Sequence, residues 1–427
     1  MIRLYCPVED AFNVASSMLR TISRLLQGFV LYFAAAQGSI CAPAEPLRIS
    51  AWYWLNSAPR QEWDRDFRNM AKLGFTHAAL CWGLDAAAWT LRVDDTRYAL
   101  ESCRRAGLGA YLVVWQPVHN SLARHPEFQQ VDLAGRLRFS FDTFNPKWRA
   151  GQWRRYLRSL ANLHAREAAF AGYIFDDSFG IGPVNTIGGP EGTLAERAIS
   201  YGDDDRRRFG KAPPKKPSDP LWAEWMAARA GWWEDWARDT TRFIREVDHD
   251  PQHEIYLEDG ESVLSDDVRN ATGVDFGRVA KPFDAVGAYT EARWDDTADS
   301  SQRAVEQTRS VLEKTRAAIG PDKKIIYTFW AGNILELRTP GPAKYPTFEQ
   351  IREICEAALK LGIRHLDMYG YRIGDFLVTD KDWPQKRPHA SGPYRLTDPF
   401  PHKYLYDRPE LHERLGEYLH ELRRTNR

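Results

Sequence analysis

The sequence predicts a single (β/α)8 barrel, and three observations carry that prediction. Short apolar runs alternate with stretches of helical apolar spacing along most of the chain, the order a parallel barrel produces. Gly74, Gly107 and Gly362 each fall just past a helical run and just before a strand, where a glycine closes the helix in a left-handed conformation. The run Ala171-Gly-Tyr-Ile-Phe-Asp-Asp-Ser-Phe-Gly180 is apolar until it meets two adjacent carboxylates, then opens into a glycine-rich segment. That is the form of a barrel strand delivering acids to the C-terminal face.

Taken in order, residues 48–55 (RISAWYWL) form strand one, and Asn56 and Pro59 turn the chain into a helix over 61–73. Residues 75–82 form strand two, a helix spans 95–105, and 109–115 form strand three. Apolar residues near helical spacing over 148–167 (Trp148, Trp153, Tyr156, Leu157, Leu160, Leu163) precede strand four, which is the run ending in Asp176 and Asp177. Residues 181–220 are rich in Gly, Pro and charge and read as a long insertion on the catalytic face. A helix over 221–247 then carries Trp222, Trp225, Trp232, Trp233 and Trp236, which read as packing residues. Strands five to eight are 253–258, 283–289, 324–330 and 364–369, with helices over 301–319 and 347–361. A last helix, 409–424, closes the barrel, and no second domain is visible.

Composition excludes some partners. Lys+Arg and Asp+Glu are equal at 58 each, so there is no electrostatic footprint for nucleic acid or for an anionic membrane surface. Aromatic content stands out at 16 Trp, 18 Tyr and 20 Phe, which suggests stacking surfaces for ring-shaped ligands beyond the needs of packing. Residues 1–42 read as a signal peptide whose true start is near Met18: 18–24 supply a basic n-region, 25–36 an apolar core, and small residues run to Ala42. The mature barrel is then 43–427, exported to the periplasm or outside the cell, and its only membrane contact is through the signal. Its cysteines, Cys81, Cys103 and Cys355, are odd in number and read as buried small hydrophobes rather than a disulfide framework.

Strand alternation puts Gly172, Ile174, Asp176 and Ser178 on one face and Tyr173, Phe175, Asp177 and Phe179 on the other. The first set suits a lumen, so Asp176 points at a substrate and Asp177 toward the helices. Trp54, Trp82, Trp115, Phe179, Tyr289, Trp330 and Tyr369 all fall at or just past the C-terminal ends of strands, the barrel face that carries active sites, where they would form a partly open rim for sugar rings. Glycosidic cleavage needs two carboxyl groups. Asp176 on strand four, as nucleophile or base, and Glu258 on strand five, as general acid, could supply them. Asp177, Glu261, Glu291 and Asp367 are supporting acids, with Asp367 the main rival because it also lies inside a strand near this face. No Gly-x-Ser-x-Gly elbow, phosphate-binding glycine-lysine loop or Gly-x-Gly-x-x-Gly fingerprint is present, and the histidine pairs lack helical zinc spacing. No cofactor and no metal are expected.

The pattern Gly172-x-x-x-Asp176-Asp177 after an apolar strand resembles strand four of (β/α)8 glycoside hydrolases, most nearly a glycoside-hydrolase-like lipoprotein group. The helix opening Asp219-Pro-Leu-Trp-Ala-Glu-Trp225 after a long loop is similar to that group as well. An Asp ending strand four with a Glu ending strand five resembles the arrangement of alpha-amylase-like retaining enzymes. The chain departs from the large clan that uses Glu after strands four and seven, having Ser178 two residues beyond Asp176 and Phe329-Trp-Ala-Gly332 at the end of strand seven. What the resemblance implies is an exported glycoside hydrolase acting on a carbohydrate; the alternative is a barrel that binds glycans without cleaving them.

Overall fold

Strand alternation and helix-closing glycines set this fold, and both are visible in the computed structural model. It describes residues 45–81, 93–115, 125–164, 169–176, 200–258, 264, 266–290, 299–331, 345–372 and 404–426. The strands in chain order are β1 (Arg48–Trp54), β2 (His77–Cys81), β3 (Gly109–Trp115), β4 (Gln129–Val131), β5 (Leu137–Phe141), β6 (Phe170–Asp176), β7 (Glu254–Leu257), β8 (Ala285–Thr290), β9 (Lys324–Trp330) and β10 (His365–Arg372). All but β4 and β5 pair in parallel and close a barrel in the order β1-β10-β9-β8-β7-β6-β3-β2. The chain is a single (β/α)8 barrel, and strand four of the sequence reading is β6. Pro46 to Asn426 forms one compact unit.

Helices alternate with these strands: α1 (Arg60–Lys72), α2 (Val93–Ala106), α3 (Arg154–His164), α4 (Asp203–Phe209), α5 (Trp222–Asp248), α6 (Asp266–Thr272), α7 (Phe276–Val279), α8 (Ser300–Ile319), α9 (Phe348–Lys360) and α10 (Pro409–Thr425). Local chemistry sets their ends. Thr347 caps α9 by accepting from the Gln350 amide while the Gln350 side chain accepts from the Thr347 amide at 2.9 Å. Gly74, Gly107 and Gly362 have φ of +95°, +78° and +80°, as their place before strands requires.

Three features depart from the sequence reading. The helix expected over 148–167 opens as a turn of π-helix at Trp148–Trp153 before α3 begins. An antiparallel hairpin, β4 with β5, lies between β3 and α3 where no strands were predicted. Inside the expected insertion, Asp203–Phe209 is helical, because its acids occupy the first turn, its arginines the last, and Gly210 closes it at φ +73°. The tryptophans of α5 pack as expected: Trp222, Trp225, Trp232, Trp233 and Trp236 are all buried. At roughly 200 Å² each, an indole contributes at most about 4 to 5 kcal/mol of hydrophobic stabilisation before entropy is counted. Cys81, Cys103 and Cys355 are buried free thiols.

Two apolar clusters divide the interior. The larger lies between the strands' outer faces and the helices, and the smaller fills the lumen with Trp52, Trp54, Tyr111, Ile174, Tyr256, Trp330 and Tyr369 among its members. Gly172 lets β6 meet β7 closely: its φ is +150°, and a Cβ there would stand 2.0 Å from the Glu254 carbonyl oxygen. The leader expected over 1–42, and Trp82, Asp177, Phe179, Glu261 and Glu291, lie outside the described residues.

Candidate active site

The C-terminal mouth of the lumen brings together acids from three strands. On β6, Asp176 shares the face of Ile174, a lumen residue, so the strand phase is the one the alternation predicts; its side chain is half-buried. One strand along, the Glu258 amide donates to the Phe175 carbonyl at 2.7 Å, which sets Glu258 beside Asp176 at the end of β7. Glu258 has the parity of Tyr256, another lumen residue, and is 2% exposed. Space for it comes from Gly287 on β8, where a Cβ would lie 3.0 Å from the Glu258 Cα and 3.1 Å from its Cδ.

The Tyr256 hydroxyl donates to Glu258 Oε2, while Oε1 has no hydrogen-bond partner among the described residues. Burial first, and the Asp367 charge second, push the Glu258 carboxyl up to about 8, against the Tyr256 hydrogen bond that favours its ionised form. That shift favours the protonated form of Glu258. Asp367, on β10, is fully buried and accepts from Ser50 Oγ, from Trp52 Nε1 at 2.6 Å and from Thr328 Oγ1 at 3.2 Å. Burial raises it to about 6, and those three donors hold it there rather than higher. Among the described residues, no three His, Cys, Asp or Glu side chains converge as a metal site.

The aromatic residues at the mouth differ from the open rim expected. Trp54, Trp330 and Tyr369 are buried at 6%, 5% and 7% exposure, and Tyr289 is half-buried. Lumen-facing parity turns the rings inward, where they pack on one another: Trp52 to Tyr369 at 4.8 Å, Tyr369 to Trp330 at 4.3 Å, Trp330 to Tyr289 at 5.8 Å between centroids. Trp330 Nε1 is buried without an acceptor among the described residues, so the mouth holds an unpartnered donor as well as the unpartnered Glu258 oxygen. Trp115 ends β3 in register with Asp176.

The opposite end of the lumen is polar, and its acid is paired. Glu254, also on β7, pairs with Arg48 and Lys324 at 2.8 Å each and accepts from the Tyr111 hydroxyl at 2.6 Å. Sequence reasoning missed Ser50, Trp52, Tyr256, Thr328 and Gly287. Ser50, Trp52 and Tyr256 were findable, since each stands two or four positions before a residue already placed in the lumen.

No family model matches the chain, and no curated protein does. Solved structures do match. A beta-galactosidase from the psychrophilic Marinomonas ef1 superposes with a TM-score of 0.62 at 13% identity, over 88% of this chain and 59% of its own. The beta-galactosidase of the Antarctic haloarchaeon Halorubrum lacusprofundi gives 0.58 at 18% identity, over 76% of this chain and 53% of its own. The PgaB (BpsB) glycoside hydrolase domain from Bordetella bronchiseptica gives 0.57 at 14% identity, over 77% of this chain and 94% of its own. The fold is shared with glycoside hydrolases. This barrel spans little more than half the length of the two beta-galactosidases and nearly all of the PgaB domain.

Proposed function

We propose that the protein is an exported glycoside hydrolase that cleaves an O-glycosidic bond with Glu258 as general acid and Asp176 as nucleophile. One observation carries this reading: the buried Glu258 carboxyl, raised by burial to about 8, stands one strand away from the half-buried Asp176 carboxyl, both facing the lumen at its C-terminal mouth. Two carboxyls made unequal by their surroundings are what acid-assisted glycoside cleavage needs. The fold shared with glycoside hydrolases agrees with it.

In this reading Glu258 gives its proton to the glycosidic oxygen as the bond from that oxygen to C1 breaks, and an Asp176 oxygen bonds to C1. Water then attacks C1, its proton goes to Glu258, and Asp176 departs as a carboxylate. Neighbouring strands stand about 4.8 Å apart, closer to the roughly 5 Å carboxyl spacing of retaining enzymes than to the wider gap of inverting ones. The half-buried Tyr289 offers a ring face to the sugar, and the unpartnered Trp330 N–H offers a donor to one of its hydroxyls. Asp177 and Glu291 remain supporting acids, and the leader would bring the barrel to a carbohydrate outside the cytoplasm.

The test is a panel of aryl glycosides and oligosaccharides, followed by product anomer analysis, with wild type, Asp176→Asn and Glu258→Gln. Cleavage with retention that both substitutions abolish on unactivated substrates is expected. Glycans that bind without being cleaved would make the barrel a binding protein, and full turnover in both variants would remove these residues from the chemistry.

A further inference from the structure

Four arginines line one open cavity of about 530 Å³ in the helical layer, and none of its lining residues belongs to the lumen cluster. The π-turn at Trp148–Trp153 contributes Arg149, α3 contributes Arg154, and α4 contributes Arg207 and Arg208, with Asp204 and Asp239 as the acids between them. Those acids are overcommitted. Asp239 accepts from Arg154 at 2.7 Å, from Arg242 at 2.8 Å and from Arg149 at 3.3 Å, so one carboxylate serves three guanidiniums. Asp204 is taken by Arg207, and Arg208 reaches Asp235 at 3.1 Å, which also accepts from Arg238. Arg149 is the least satisfied of the four. Its side chain is only 16% exposed, yet its hydrogen bonds among the described residues run through one nitrogen, to Asp239 and to the Asp235 carbonyl at 3.4 Å. Arg154 Nε is buried with no partner among the described residues. Arg207 and Arg208 lie in the last turn of α4, where the helix dipole favours a cation. Arg149 stands in the first turn of its helical run, where the dipole opposes one, so closing a helix does not explain it.

We propose that this cavity binds an acidic saccharide, which the arginines hold by its carboxylate or sulfate group. A guanidinium presents its N–H donors as a rigid fork, which matches two oxygens of such a group at once and gives hydrogen bonds strengthened by charge. The size of the cavity argues for more than a bare ion. Small-ligand sites run from roughly 300 to 1,000 Å³, and the exposed Pro146 and Ala150 add apolar wall that an inorganic anion would not use. The negative charge of the ligand follows from the arginines alone, whereas its being a sugar rests on the proposed function. On that reading the carbohydrate is an anionic one, gripped at a place separate from Asp176 and Glu258. No bond is made or broken in the cavity, and its contribution is to hold a charged chain against the barrel.

Calorimetry on the full chain tests this with four probes: trigalacturonate, a sulfated chondroitin tetrasaccharide, neutral galactotriose and sodium sulfate. At least one acidic probe should bind, with affinity falling about 10-fold as sodium chloride rises from about 0.05 to about 0.3 M, while the neutral trisaccharide does not bind. Arg149→Gln and Arg207→Gln should each weaken that binding about 10-fold, because each removes a charge-assisted donor, and Arg149→Lys should recover part of the loss. Glu258→Gln should leave it unchanged, which separates the cavity from the mouth of the lumen. Should Arg149→Gln not fold, the exposed Arg207 carries the test, since its replacement disturbs no packing. Failure of both acidic probes, binding of sodium sulfate alone, or wild-type affinity in the arginine variants overturns the proposal. The two readings fail separately. If the acidic probes bind as stated and no glycoside is cleaved, the enzymatic reading fails and the site stands; if glycosides are cleaved and neither acidic probe binds, the site falls and the enzyme stands.

Discussion

Glu254 opens β7 and Glu258 directly follows its last residue, four positions on, and both face the lumen, yet they are opposite kinds of acid. Burial would raise the Glu254 carboxyl, but Lys324 and Arg48, with hydrogen bonds from Lys324 and Tyr111, outweigh it and lower the pKa below the ordinary glutamate range. At Glu258 burial is reinforced by Asp367, and the carboxyl rises to about 8. The N-terminal end of the lumen neutralises its acid, and the C-terminal end leaves its acid short of partners. Paired charge at one end serves stability, and in the proposed function the unpaired acid at the other would serve chemistry.

The sharpest way to break the comparison is to neutralise each acid. Asp176→Asn and Glu258→Gln should lower kcat/KM on unactivated glycosides by on the order of 10³-fold or more, with Glu258→Gln far milder on aryl glycosides whose leaving groups need no proton. Steady-state kinetics on paired substrates reads this directly. Glu254→Gln should do the reverse. It leaves Arg48 and Lys324 without their counter-charge in a partly buried site and should cost about 2 to 3 kcal/mol in denaturant unfolding, while turnover per folded molecule stays near wild type.

A smaller perturbation sharpens the same contrast. Gly287→Ala puts a methyl group 3.1 Å from the Glu258 Cδ, so that side chain must shift. The expected loss is about 1 to 2 kcal/mol of stability together with a fall in kcat, read by unfolding and kinetics on the same preparation. Least in size, Trp330→Phe keeps a ring but removes the indole N–H, and glycan binding should weaken by about 1 kcal/mol in calorimetry.

The pH dependence of stability separates the two acids by sign. Glu258 binds its proton more tightly folded than unfolded, so its stabilising contribution is full below about pH 4.5 and is lost as pH rises through about 8. Glu254 has a lowered pKa, so its contribution is present above the ordinary value of 4.5 and is lost as pH falls below it. Unfolding of Glu258→Gln across pH 5 to 9 should show a weaker decline toward alkaline pH than wild type.

Much of this was legible in the sequence because it is local. Period-two alternation gave the lumen phase of Asp176, and glycines 74, 107 and 362 marked the helix-to-strand turns. The Asp367 constellation was not legible as a unit, since Ser50, Trp52, Thr328 and Asp367 meet only through the register of β1, β10 and β9. Asp367 accordingly read as a rival catalyst. The rim was read as open for a related reason: position at a strand end places Trp54 and Trp330 at the mouth, but only the packing of their neighbours decides that they are buried. The helix at Asp203–Phe209 escaped notice because its charge pattern, acids first and arginines last, was taken as the mark of a solvated loop.

The central claim is that Glu258 holds a proton at neutral pH where Glu254 does not. Infrared difference spectra at pH 7, wild type minus Glu258→Gln and wild type minus Glu254→Gln, test it most directly. The first should contain the carbonyl stretch of a protonated carboxylic acid, lost on titration past about pH 8, and the second only the bands of a carboxylate. A carboxylate signature in both spectra would contradict the account.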